Sequence, residues 1–208
     1  MRGYRPDPVG DTTIEWALEM AATAPSSCNT QPWSVHIASG AALERLRSAL
    51  TEAAASGTVS APEVEYAARY AGEYRDRQVD AAVRLFKAQK IERHDQVGRT
   101  RSFLRNYEFF DAPHAAFLFI PADGGIREAA DCGKFAQTFM LALAAAGVGS
   151  CPQGSLSERP QVVRETLHLG ETGKLLLGIS FGYADNEHPT AAVRPPRVRV
   201  SDFATFHD

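Results

Sequence analysis

His114 to Ile120 is an almost unbroken apolar run that follows Asp111-Ala112-Pro113. A strand with one wet face alternates apolar and polar side chains. A run without alternation predicts a central strand buried on both faces. Leu175 to Phe181 reads as a second strand of the same kind. The chain is long enough to cover such strands. It has 208 residues, 44% of them apolar and 23% charged, so one large domain with a sizeable core, or one domain with an inserted lobe, is expected.

The other elements follow from period and punctuation. Thr12 and Glu15 have capping-box spacing ahead of the apolar face Ile14, Ala17, Leu18 and Ala21, which predicts a first helix ended by Pro25. Residues 24–32 form a polar loop, and Trp33, Val35 and Ile37 alternate with Ser34 and His36 as a strand. Leu43, Leu46 and Leu50 mark a second helix that fades at Gly57. Ser60, with Glu63 three residues on, predicts a charged helix running to about Lys90. Residues 91–107 read as basic and irregular. Residues 127–146 form a long helix with a strongly apolar second half, stopped by Gly147. A short strand at Val148–Cys151 and a helix at Pro160–Leu167 follow. From Ala184 the chain is rich in Pro and Arg without helical period, a tail expected to pack along something, such as a partner subunit. Helices and strands mix without strict β-α alternation, so the fold class is α+β.

Several functions are excluded. A net charge of -3 argues against a nucleic-acid surface. No apolar run reaches the roughly 18 residues of a spanning helix, and no apolar leader follows Met1. Three scattered cysteines, Cys28, Cys132 and Cys151, make neither a disulfide framework nor a zinc site, and a reducing cytoplasm is expected. The six histidines lack metal spacing. Gly147-Val148-Gly149 fails as a dinucleotide fingerprint because Pro152 stands at the third glycine. Gly178-Ile179-Ser180-Phe181-Gly182 matches the nucleophile-elbow string, yet Ser180 lies inside a strand run and no helix opens after it. With no acid–base dyad in view, a cofactor is expected to carry any chemistry.

Ala24-Pro25-Ser26-Ser27-Cys28-Asn29-Thr30-Gln31-Pro32-Trp33 resembles the loop of the nitroreductase family, FMN-dependent NAD(P)H oxidoreductases, with variation at Cys28. Three further segments resemble that family in the same order. They are Asp111–His114 entering a buried strand, Gly147–Gly154 with its Cys151-Pro152-Gln153-Gly154 core, and Gly178–Tyr183 ahead of Arg194-Pro195-Pro196-Arg197 and the closing Phe206-His207-Asp208. The resemblance covers nearly the whole chain.

It implies a single nitroreductase-like, FMN-binding domain over residues 1–208, with a mostly antiparallel sheet wrapped by helices and a helical cover lobe at about 61–107. It also implies a homodimer whose C-terminal tail crosses to the partner. Arg2 would face the flavin's pyrimidine edge. Pro152, Gln153 and Gly154 would line the cofactor, with the backbone N–H of Gly154 meeting the flavin N5. Ser26, Ser27 and Asn29 would reach it from the partner subunit, Gln31 would also belong to the cofactor site, and Arg194 and Arg197 would serve the phosphate. The implied activity moves electrons from NADH or NADPH through FMN to a nitroaromatic, quinone or related conjugated acceptor by ping-pong turnover. A flavin-dependent dehydrogenase or dehalogenase of a dedicated metabolite, and a non-catalytic flavin-binding module, are the alternatives. Members of the family carry an Arg-x-Ser segment ahead of the position of Arg2. The chain opens at Met1, which leads to the expectation of a shortened start and weakened FMN binding.

Overall fold

A computed structural model describes residues 1–66, 69–170 and 172–207. Four strands form one sheet: β1 (Ser34–Ser39), β2 (His114–Ile120), β3 (Gly149–Gln153) and β4 (Lys174–Gly182). Their order is β1-β2-β4-β3, with every neighbouring pair antiparallel. The two strands read as buried on both faces are the two in the middle. All seven residues of β2 are buried. Ala116, Leu118 and Ile120 face one core, packed by α1 (Asp11–Ala22) and α5 (Ile126–Ala145). Ala115, Phe117 and Phe119 face the other, packed by α2 (Gly40–Ala55) and α6 (Pro160–Leu167). The period of two along one strand thus feeds both cores of a three-layer α+β fold, and each fully buried large side chain contributes about 1.5–3 kcal/mol.

The departures from the sequence reading have local causes. Helix α1 begins at Asp11 behind Gly10, with no side-chain cap, so the Thr12/Glu15 capping box does not form. The chain enters that helix fixed by a distant contact: the Val9 N–H donates to His114 Nε2 at 2.9 Å. No helix starts at Ser60. Residues 60–66 are non-helical, and Ala67 and Ala68, part of the same expected helix, lie outside the described residues. The Glu63 carboxylate is held by Arg164 at 2.9 Å and by the Leu175 N–H at 2.8 Å, while the Ala61 N–H donates to the Glu158 carbonyl. These bonds stretch the segment across α6 and β4 in place of coiling it.

The charged helix instead is α3, Gly72–Ala88. The stretch read as irregular contains α4, Gln96–Leu104, whose N-cap Asp95 accepts from the Gly98 N–H at 2.8 Å. Strand β3 also runs two residues further than expected, to Gln153. Residues 184–207 carry one short helical turn, Val200–Asp202, and are largely exposed from Arg194 onward; Asp208 of the closing motif lies outside the described residues. Ser180 sits fully buried inside β4, as its apolar surroundings require.

Candidate functional site

The loop between α1 and β1 has an unusual backbone. Cys28, Asn29 and Gln31 all have positive φ, at 51°, 59° and 47°. Non-glycine residues adopt this region rarely and at a cost, so surrounding bonds must hold them there. Ser26 Oγ accepts the Gln31 N–H at 2.9 Å, and the Ser27 N–H donates to Asp131 Oδ2 at 2.9 Å. Asp131 is nearly buried on α5 and also pairs with Lys134. The Lys134 ammonium, together with the Ser27 N–H, holds its carboxyl below the usual carboxylate range. Further along α5, Cys132 Sγ contacts the Pro32 carbonyl, and the Phe135 ring stacks on Trp33 at 5.0 Å. Burial pushes the Cys132 thiol up to about 12, which makes it a packing group. One helix therefore clamps the loop at both ends, leaving Asn29 and Gln31 exposed and Ser26 and Ser27 half-buried. Sequence reasoning missed Asp131, because its partner stands 104 positions away and nothing in its neighbours marks it.

Pro152 and Gly154 lie exposed on edge strand β3 and the turn after it. A side chain on Gly154 would meet nothing within 4 Å, so the backbone there is open to a close approach. Gln153 is different. Its side chain is buried, with Oε1 accepting from Ser180 Oγ and Nε2 donating to the Asn106 carbonyl at 2.9 Å. Its amide holds the edge in place and is not free for a ligand.

Arg2 lies 5.4 Å over the Phe110 ring and lines a cleft of about 390 Å³ with Gln78, Leu85, Thr190 and Val193. The guanidinium of Arg194 donates to the Ala191 and Val193 carbonyls, and that of Arg197 to Pro195; both are exposed and neither pairs with a carboxylate among the described residues. The ensemble is rich in donors and positive charge and poor in carboxylate.

These residues do not converge within the single chain. The Ser26–Gln31 loop leads into β1, at one edge of the sheet, and Pro152–Gly154 lies at the opposite edge. Three inter-strand spacings of about 4.8 Å separate those edges by roughly 14 Å. Arg2 stands on the β3 side, where the Met1 side chain packs on Gly149. No helix among the described residues is long and apolar enough to cross a membrane, and no group of His, Cys, Asp or Glu there could hold a metal.

A family model described as "Nitroreductase family" matches residues 1–183, which contain both the strained loop and the β3 edge. The chain belongs to the nitroreductase family. Among similar members, nitroreductase NfnB of Mycolicibacterium smegmatis is 41% identical over 207 residues, covering 99% of this chain and 88% of that protein. A 4-nitrobenzoate reductase of Pseudomonas putida is 31% identical over 206 residues, covering 99% and 90%. The crystal structure of the FMN-dependent NfnB from Mycobacterium smegmatis in complex with NADPH superposes with a TM-score of 0.94 at 40% identity, over 100% of this chain and 93% of that one. The nitroreductase fold, with its four-stranded antiparallel sheet between helical layers, is the architecture described above.

Proposed function

We propose that this nitroreductase-family protein is an FMN-dependent oxidoreductase, and that it passes electrons from NAD(P)H to nitroaromatic and related conjugated acceptors as a homodimer. The observation that carries the dimer is the separation of the two motif segments to opposite edges of one sheet, which leaves each protomer with half a flavin site. A two-fold dimer brings the strained loop of one protomer against the β3 edge of its partner. The described residues fit the cofactor: an open main chain at Gly154, exposed amides on a rigid loop, and arginines without carboxylate partners match a ring with carbonyl edges and a phosphate. When bound, FMN supplies the two-electron chemistry that no side chain here can perform.

The protein's part is to hold and to polarise. Gly154 presents a main-chain N–H at the ring, a donor independent of side-chain rotamers, and Pro152 and Gln153 set the path of that edge. Arg2 offsets negative charge at the pyrimidine edge. Ser26, Ser27, Asn29 and Gln31 reach in from the partner, and Arg194 and Arg197 in the tail take the phosphate once they leave their own carbonyls. Helices α3 and α4 form the cover lobe, excluding water and shaping the acceptor pocket. Three free cysteines with no disulfide between them agree with a cytoplasmic setting.

The test is anaerobic reduction. The purified protein should be yellow, lose its flavin absorbance on addition of NADPH or NADH, and recover it on addition of 4-nitrobenzoate or nitrobenzene. Mixed dimers of Asn29→Ala and Arg197→Ala protomers should regain activity that neither variant has alone. A fully active, flavin-loaded monomer in sedimentation would end the shared-site reading.

A further inference from the structure

Helix α3 has a cleft on each of two adjacent faces. One is the Arg2-lined cleft already described, bordered by Gln78 and Leu85. The other, about 840 Å³, opens between α3 and the turn that leads into α4. Its walls carry Arg75, Lys87, Lys90, Arg93 and Arg99 against a single carboxylate, Glu92, in a chain whose net charge is -3. None of the five cations is ion-paired among the described residues, whereas Arg77 and Arg84 on the same helix pair with Glu73 and Asp80. The floor is apolar, formed by Val79, Val83, Phe86 and Ile91, and the Arg99 guanidinium stacks 4.9 Å over the Phe86 ring. The Arg99 Nε is buried with no partner. Arg75, on the wall of this cleft, donates at 2.6 Å to Gln78, which borders the first.

From this we infer that the basic cleft binds the phosphorylated adenosine end of NADPH and gives the protein a preference for NADPH over NADH. This rests on the reading of the protein as an NAD(P)H-dependent flavoenzyme. A flat base suits the apolar floor, and a phosphate monoester carries nearly two negative charges at neutral pH. Five unpaired cations exceed what the lone carboxylate of an anionic acceptor requires, and match a ligand with several phosphates. The position also suits a long ligand. The cleft stands about one helix width, ~10 Å, from the Arg2 cleft, so one end can be gripped here while the other reaches the flavin.

The experiment uses the flavin-loaded protein and the variants Arg93→Ala, Arg99→Ala and Lys90→Ala. A variant that loses a contact to the 2′-phosphate, which NADH lacks, should lower the NADPH-to-NADH ratio of kcat/KM roughly tenfold, and at least one of the three is expected to do so. Adenosine 2′,5′-bisphosphate should bind the parent in calorimetry, compete with NADPH, and bind the Arg93→Ala variant roughly tenfold more weakly. An unchanged ratio with unchanged bisphosphate binding overturns the inference. So does a rise in KM for 4-nitrobenzoate but not for nitrobenzene, which would assign the cleft to anionic acceptors. Flavin absorbance and its bleaching by NADH are read on every sample. Their absence from the parent would overturn the flavoenzyme reading on which the inference stands, and their presence isolates a failure to the cleft.

Discussion

Replacing Gln153 by leucine keeps the side-chain volume and removes both hydrogen bonds of a buried amide. The Ser180 hydroxyl, in a residue with no exposed surface, loses its acceptor, and the Asn106 carbonyl loses a donor at 2.9 Å. Two net hydrogen bonds are worth about 1 kcal/mol each, and a buried partner left unsatisfied adds about 1–3 kcal/mol, so the cost should be about 3–5 kcal/mol. A chain of this size loses about 2–4 °C in Tm per kcal/mol, which gives a drop of roughly 6–20 °C. The assay is urea unfolding at fixed protein concentration, because the proposed dimer ties stability to concentration. The Ser180→Ala variant closes a cycle. With the hydroxyl already gone, the leucine should cost less, leaving a coupling of about 1 kcal/mol. FMN affinity should also fall in Gln153→Leu, since Gly154 follows directly in the chain. A change below about 0.5 kcal/mol, or full additivity with Ser180→Ala, would refute the reasoning.

Three other outcomes are expected. Glu63→Gln weakens the bond to Arg164 and the Leu175 N–H, should cost about 1–3 kcal/mol, and should speed limited proteolysis within residues 59–66. Gly178→Ala places a Cβ 2.8 Å from the Leu156 Cβ, and should cost about 1–3 kcal/mol in thermal unfolding by overpacking the turn after β3. Burial lowers the pKa of His114, whose Nε2 accepts from Val9 while Nδ1 meets Ser39 Oγ at 2.5 Å. With a depressed folded pKa, the unfolded state binds the proton first. This contribution is complete above the ordinary histidine value of about 6.5 and is lost as pH falls through the folded pKa. Tm should therefore drop from pH 7 to 5, and less steeply in His114→Gln.

Much of the fold could be read from local pattern, because periodicity reports burial without reference to the rest of the chain. The unbroken run of β2, the apolar second half of α5 and the heptad-like leucines of α2 each state which faces are covered. The loop motif also stands in one stretch of sequence, and with it the family. What the pattern left open depends on groups that meet only after folding. Residues 60–66 have a helix-like composition, and are drawn straight by Arg164 and the backbone of Leu175, a hundred positions away. Asp131 clamps the strained loop, and Gln153 turns inward to Ser180, through contacts that no local spacing encodes. The assignment of Ser26–Gln31 and Pro152–Gly154 to opposite sheet edges comes from strand order alone, since a chain's hydrophobic period says that a strand is buried but not which neighbour it pairs with.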